Sequence, residues 1–235
     1  MLNEEPEGMN AARITGIRAC VFDAYGTLFD FNSAARQAQD ALGPSWVKLS
    51  EAWRAKQLQY TWLRSLMGRH VDFWQLTGDA LDWAMASLEM ADGSLRERLM
   101  SLYLSLDAYP EVADMLATLG KSGRKLAILS NGAPAMLAAA VSNAKLGHAF
   151  DAVISVEEVG VYKPDPRVYR LAVKRFGLEP AEICFVSSNA WDAYAAKAFG
   201  MRVVWCNRFN QAPERLPDPP DRQITRLSEL PALLA

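Results

Sequence analysis

The residues best placed to do chemistry stand where apolar runs stop. Ala19, Cys20, Val21 and Phe22 form an unbroken apolar segment of strand length that ends on the carboxylate of Asp23, with the turn-former Gly26 and the hydroxyl of Thr27 close behind. The run KLAILS ends on Ser130, and Asn131 and Gly132 lead into a helix expected from Pro134, so a hydroxyl at a strand end meets amides at a helix start, an arrangement suited to an anion. In YKPDPRVY, Lys163 falls on a loop ahead of a helix capped by Asp165, begun by Pro166 and stopped by Gly177. A fourth apolar run, 183–187, enters the polar loop SSNAWD, which carries Asp192. Taken singly, each has a plainer explanation: Asp23 as the cap of a turn, Lys163 as a loop charge, Tyr169 as a core residue of an amphipathic helix. Together they place two carboxylates, one cation and one anion site beyond the carboxyl ends of strands, which is where open α/β sheets bind ligands.

The elements that must position these loops follow the βα rhythm of a Rossmann-like, doubly wound, mostly parallel sheet. EVADMLATLGKSG reads as an amphipathic helix ending at Gly123, the helix after Pro134 is expected to end near Gly147, and DAVISVEEVG supplies a further strand. Residues 183–206 form a compact βαβ unit with a helix from about 190 to 199 and Gly200 as its stop. Between Asp30 and about residue 108 helical periodicity replaces strand patterning, and an inserted helical cap is expected. Its main helix is predicted from an N-cap at Ser50, with Trp53, Leu58, Trp62 and Leu66 recurring near helical spacing. The division is therefore a mobile tail over 1–13, an α/β core over 14–30 and 109–235, and the cap over 31–108.

Composition narrows the partner. With 25 basic against 27 acidic residues and 51% hydrophobic content, the chain can bury a substantial core and shows no basic field for nucleic acid or an anionic membrane. Its polar start lacks the apolar core of a signal peptide, and no apolar run reaches membrane-spanning length. Cys20, Cys184 and Cys206 sit in strand-like runs with no CxxC spacing, as buried free thiols of a reducing, cytoplasmic compartment would. His70 and His148 lie outside every motif, and no mechanism attaches to Asn207 or Arg208.

DAYGTLFD, LSNG, VYKPD and FVSSNAWD resemble, in order, the four motifs of the haloacid dehalogenase superfamily, and AWRAKQLQYTWLRSLM resembles the cap helix of its L-2-haloacid dehalogenase branch. The resemblance spans about residues 17–206. It makes Asp23 the nucleophile. In the superfamily's phosphatases a second Asp stands where this chain has Tyr25, and acids of the fourth motif hold Mg²⁺; here that motif keeps only Asp192, with Ser187 and Ser188 ahead of it. A metal-independent displacement of halide is thus implied, with no cofactor, 2-haloacids as substrates and halide ion as product. A phosphatase or phosphonate hydrolase, or a non-catalytic binding protein on the same fold, are the alternatives.

By the same resemblance Arg54, Asn131 and Trp191 face the halide, while Ser130 and the amides of Ala24 and Tyr25 take the substrate carboxylate. Lys163 lies beside Asp23 and Asp192. Thr27, Tyr169, Ser187 and Asn189 support the cluster, Asp192 serves the hydrolytic water, and Tyr25, Leu58, Phe73 and Trp191 form an apolar wall. A homodimer is implied.

Overall fold

The structure, a computed structural model, describes residues 13–90 and 92–234; the expected tail lies outside it except for Arg13. Six strands, β1 (Ala19–Phe22), β2 (Lys125–Ser130), β3 (Ala152–Ser155), β4 (Ile183–Ser187), β5 (Arg202–Cys206) and β6 (Arg222–Ile224), form one sheet in the order β3-β2-β1-β4-β5-β6. Every neighbouring pair is parallel. The all-apolar β1 is buried along its whole length, as a strand covered on both faces must be. Asp23 extends its ladder, its N–H donating to the Val186 carbonyl at 2.9 Å.

Among the described residues, the first five helices after β1 are α1 (Ser33–Gln37), α2 (Gln39–Leu42), α3 (Trp46–Met67), α4 (Phe73–Ser87) and α5 (Gly93–Tyr103). The chain leaves and returns through a narrow neck, where Asp30 N–H donates to the Asp107 carbonyl at 2.8 Å and Tyr109 N–H to that of Leu28 at 3.0 Å. Five more helices accompany the remaining strands: α6 (Val112–Gly120), α7 (Pro134–Asn143), α8 (Pro166–Phe176), α9 (Ala190–Ala198) and α10 (Leu230–Leu233). Asp165 caps α8 by accepting from Arg167 N–H at 2.9 Å, and Gly177 closes it in the left-handed conformation, both as expected.

The start of the long helix is a correction. A 3₁₀ turn, Gly43–Ser45, runs directly into α3 at Trp46, with no side-chain cap. Ser50 therefore lies inside the helix, where its buried hydroxyl donates to Asn32 Oδ1 at 2.6 Å. The buried face of α3 also differs from the apolar row read from sequence. It comprises Leu49, Ser50, Trp53, Gln57 and Thr61, whereas Leu66 is 85% exposed. α6 and α7 end at Gly120 and Asn143, a few residues short of the glycines read as their stops. No helix among the described residues is long and apolar enough to cross a membrane.

Candidate active site

Asp23 leaves the end of the central strand with both oxygens engaged. Oδ1 accepts from Lys163 Nζ at 3.0 Å; Oδ2 accepts from Thr27 Oγ1 at 3.2 Å and from Asn189 Nδ2 at 2.7 Å. The same ammonium donates to Asp192 Oδ2 at 2.8 Å and lies 4.8 Å from the centre of the Phe185 ring. Tyr169 completes the cluster by donating its hydroxyl to Asp192 Oδ1 at 2.7 Å. The register of the sheet brings β1, β4 and the loop before α8 together, so residues 23, 163, 189 and 192 meet despite their separation in sequence.

One ammonium is shared by two buried carboxylates. Burial alone would depress Lys163, but Asp192 and Asp23 more than offset it and hold the amine above the ordinary lysine range. For Asp192 burial dominates, the charge of Asp23 adds to it, and half a share of Lys163 does not compensate, so its carboxyl is raised above the usual carboxylate range. Tyr169 is pushed well up, first by burial and then by Asp192, and stays a proton donor. Lys163 Nζ bridges the two carboxylates, and among the described residues no three His, Cys, Asp or Glu side chains converge on one point.

Arg54 reaches this cluster from α3. Its Nη2 donates to Asn189 Oδ1 at 3.2 Å and lies 3.5 Å from the Tyr25 carbonyl, its Nη1 donates to Gln57 Oε1 at 2.8 Å, and its guanidinium carbon sits 4.9 Å from the centre of the Phe31 ring. Arg54 also borders an open pocket of about 490 Å³ with Phe31, Leu58, Asn189, Trp191 and Phe209. Trp191 is braced edge-on by Trp62 at 5.5 Å.

On the other side, Ser130 Oγ accepts the Gly132 N–H at 3.0 Å, which leaves the hydroxyl proton for a ligand. Asn131 Oδ1 accepts from the Lys163 backbone N–H at 3.0 Å, fixing the loop that carries the ammonium. The N–H groups of Gly26, Thr27, Leu28 and Phe29 are used within the turn after β1, while those of Ala24 and Tyr25 enter none of its hydrogen bonds. Ser187 serves its own loop, Oγ accepting from Asn189 N–H at 3.1 Å. The expected wall is split: Leu58 and Trp191 stand at the pocket, whereas Phe73 lies behind it, stacked on Tyr25 at 5.8 Å.

Sequence reading missed Gln57, Thr77, Tyr103 and Phe31. Gln57 stands three residues after Arg54, so helical spacing alone places it on the same face, but a glutamine in a helix reads as a solvent-facing residue. Arg208 also has a place: it donates to the Thr27 carbonyl at 3.2 Å, pairs with Glu111 at 2.9 Å and stacks on Tyr109 at 3.7 Å.

Comparison with known proteins identifies the family and the fold. A family model described as haloacid dehalogenase-like hydrolase matches residues 17–200. The chain is 48% identical to (S)-2-haloacid dehalogenase 1 of Pseudomonas sp. (strain CBS-3), over 93% of this chain and 96% of that protein. A crystal structure of a dehalogenase with an intermediate complex superposes with a TM-score of 0.92 at 46% identity, covering 94% of this chain and 99% of that one. The L-2-haloacid dehalogenase of Xanthobacter autotrophicus with chloropropionic acid covalently bound gives a TM-score of 0.86 at 40% identity, covering 92% and 98%.

Proposed function

The chain belongs to the haloacid dehalogenase-like hydrolases, in their (S)-2-haloacid dehalogenase branch, and on that premise we propose that it hydrolyses short L-2-haloalkanoates and haloacetates to 2-hydroxy acids and halide. The observation that carries the reading is Asp23, a carboxylate at the end of the central strand, oriented by Lys163, Thr27 and Asn189, with an arginine one amide away.

In the first step an Asp23 oxygen attacks C2 from the side opposite the halogen. The new C–O bond forms as the carbon–halogen bond breaks, and the halogen leaves with the bonding pair as halide. Halide is stable as an anion, so no acid is required. Arg54, Asn131 and Trp191 receive it, a guanidinium, an amide and a ring edge being donors that stabilise a desolvated anion. Ser130 and the free amides of Ala24 and Tyr25 hold the substrate carboxylate, which keeps the halide side and the carboxylate side of C2 apart.

In the second step water attacks the ester carbonyl carbon of Asp23. The acyl C–O bond breaks, the 2-hydroxy acid leaves carrying an oxygen that belonged to Asp23, and the water oxygen remains in the regenerated carboxylate. Asp192 orients this water and takes one of its protons, a role suited to a carboxyl held above the usual range, and the other passes to the departing oxygen, which leaves as the 2-hydroxyl group. Lys163 and Tyr169 fix Asp192. Only the first step touches C2, so configuration inverts once.

The helices over residues 31–108 act as a cap that brings Arg54, Leu58 and Phe73 to a core formed by 14–30 and 109–235. A homodimer is supported by the apolar end of α3, where Leu66 is 85% and Met67 67% exposed; a monomeric mass by light scattering would overturn it. The buried free thiols of Cys20, Cys184 and Cys206 suit the cytoplasm.

Halide release from L- and D-2-chloropropionate, with and without chelator, tests the function. Release from the L form alone, D-lactate as product, indifference to chelator and silence of Asp23→Asn are expected. Release that stops with chelator, or survives in Asp23→Asn, would sink the reading.

A further inference from the structure

Gln57 is buried in the middle of α3, where an uncharged polar side chain is tolerated only if its hydrogen bonds are met. All of them are. Its Oε1 accepts from Arg54 Nη1 at 2.8 Å and lies 3.3 Å from the Tyr103 hydroxyl; its Nε2 donates to Thr77 Oγ1 at 2.8 Å and lies 3.1 Å from that same hydroxyl. Thr77 sets which way the amide points. Its hydroxyl proton is committed to the Phe73 carbonyl at 2.6 Å, so it offers Gln57 only a lone pair and must face the amide nitrogen. The oxygen is thereby turned to Arg54. Trp53 Nε1, donating to the Thr77 carbonyl at 2.9 Å, anchors that turn of α4 against α3.

Resting on the dehalogenase reading above, we propose that Gln57 is a positioning residue for the leaving group: held by Thr77 and Tyr103, it aims Arg54 at the departing halide while leaving the guanidinium charge intact. One edge of Arg54 is held by Gln57, the other by Asn189, and its plane by Phe31. A glutamate would grip the same arginine more tightly. Its negative charge would also cancel, inside a buried site, the field that the halide needs. The neutral amide supplies the aim without the cancellation.

Two substitutions separate these halves. Gln57→Leu removes the aim and keeps the charge; kcat for L-2-chloropropionate is expected to fall roughly ten- to a hundredfold, the range of a hydrogen bond to a charged group, with KM little changed. Gln57→Glu keeps the aim and cancels the charge. Inhibition by added chloride or bromide should weaken, and kcat should fall more for 2-chloro- than for 2-bromopropionate, because the poorer leaving group leans harder on the guanidinium. In an Arg54→Ala background, Gln57→Leu should add nothing. Thr77→Val and Tyr103→Phe act on the same amide from behind and should each give part of the Gln57→Leu effect, which keeps the test open if Gln57→Leu folds poorly.

Equal losses in the Arg54 and Arg54→Ala backgrounds, or losses that follow thermal stability with no leaving-group dependence, would reduce Gln57 to a packing residue and overturn the proposal. A wild type that releases no halide from any 2-haloacid would instead overturn the dehalogenase reading itself.

Discussion

Arg54 on α3 and Asn189 at the start of α9 are joined by a 3.2 Å hydrogen bond from Nη2 to Oδ1, and the Nδ2 of the same amide donates to Asp23 Oδ2 at 2.7 Å. One asparagine therefore connects the proposed halide-binding cation to the proposed nucleophile. Asn189→Ala should release both and lower kcat by about ten- to a hundredfold. Asn189→Asp should be worse: it sets a second negative charge against Asp23 and draws Arg54 into an ion pair away from the halide. Steady-state kinetics of the two variants check this, and an aspartate as active as the wild type would refute the linkage.

The origin of the product oxygen gives a sharper test of Asp23. With enzyme in excess over L-2-chloropropionate in ¹⁸O-water, the first-turnover lactate should carry no label at C2, because in the proposed displacement its hydroxyl oxygen comes from the Asp23 carboxylate. The label should appear in Asp23 and enter lactate only in later turnovers. Mass spectrometry of product and of the Asp23 peptide distinguishes this from direct attack by water, which labels the first product.

How far these residues were legible in the sequence depended on how local their signals are. Asp23, Ser130, Lys163 and the 187–192 loop each end an apolar run or start a helix, and a parallel sheet gathers such ends along one edge. The helical stretch over 31–108 was harder to read. Five helices around one crevice have several semi-apolar faces, and the face of α3 that is buried contains Ser50, Gln57 and Thr61, because it meets polar partners on neighbouring elements. Hydrophobic periodicity follows the wrong stripe there, through to the exposed Leu66. Tyr103 and Thr77 carried no local signal; only the packing of α3 on α4 and α5 brings them to Arg54 through Gln57.

Removing the shared ammonium should make stability depend on pH in a defined direction. Lys163 is raised in the folded state, so its contribution is fully present below the unfolded value of 10.5 and is lost as pH rises through the folded one. Asp192 is also raised, chiefly by burial. Its native state therefore binds a proton more readily than the unfolded chain, and the stability this gives at low pH is lost as pH rises from 3.8 through the folded value. Lys163→Met leaves two buried carboxylates with no counter-charge and should cost about 3–5 kcal/mol at neutral pH. Protonating one carboxyl relieves the repulsion, so the deficit should shrink at about pH 5. Urea unfolding of both proteins at the two pH values checks it; a deficit independent of pH would mean the carboxylates do not oppose each other.

Gly132 is set by Tyr25. A Cβ at position 132 would stand 2.8 Å from Tyr25 Cε2, 3.0 Å from its hydroxyl and 3.0 Å from Leu137 Cδ2. Tyr25 is buried between Phe73 at 5.8 Å and Tyr103 at 5.6 Å, and has little room to retreat. Gly132 must move instead, carrying the N–H that fixes Ser130 Oγ at 3.0 Å and the carbonyl that accepts from Ser155 at 2.6 Å. Gly132→Ala is therefore expected to lose about 1–3 kcal/mol of stability and to raise KM, through a misaimed hydroxyl of Ser130, the proposed partner of the substrate carboxylate. Adding Tyr25→Phe removes the hydroxyl contact but not the ring contact at 2.8 Å, so the double variant should recover only part of the loss. The buried Tyr25 hydroxyl has no hydrogen-bond partner among the described residues, so Tyr25→Phe alone should be nearly neutral in stability. Thermal unfolding and KM for the three variants decide the matter: full recovery would make the hydroxyl the obstacle, and no loss in Gly132→Ala would show that the ring does not hold its place.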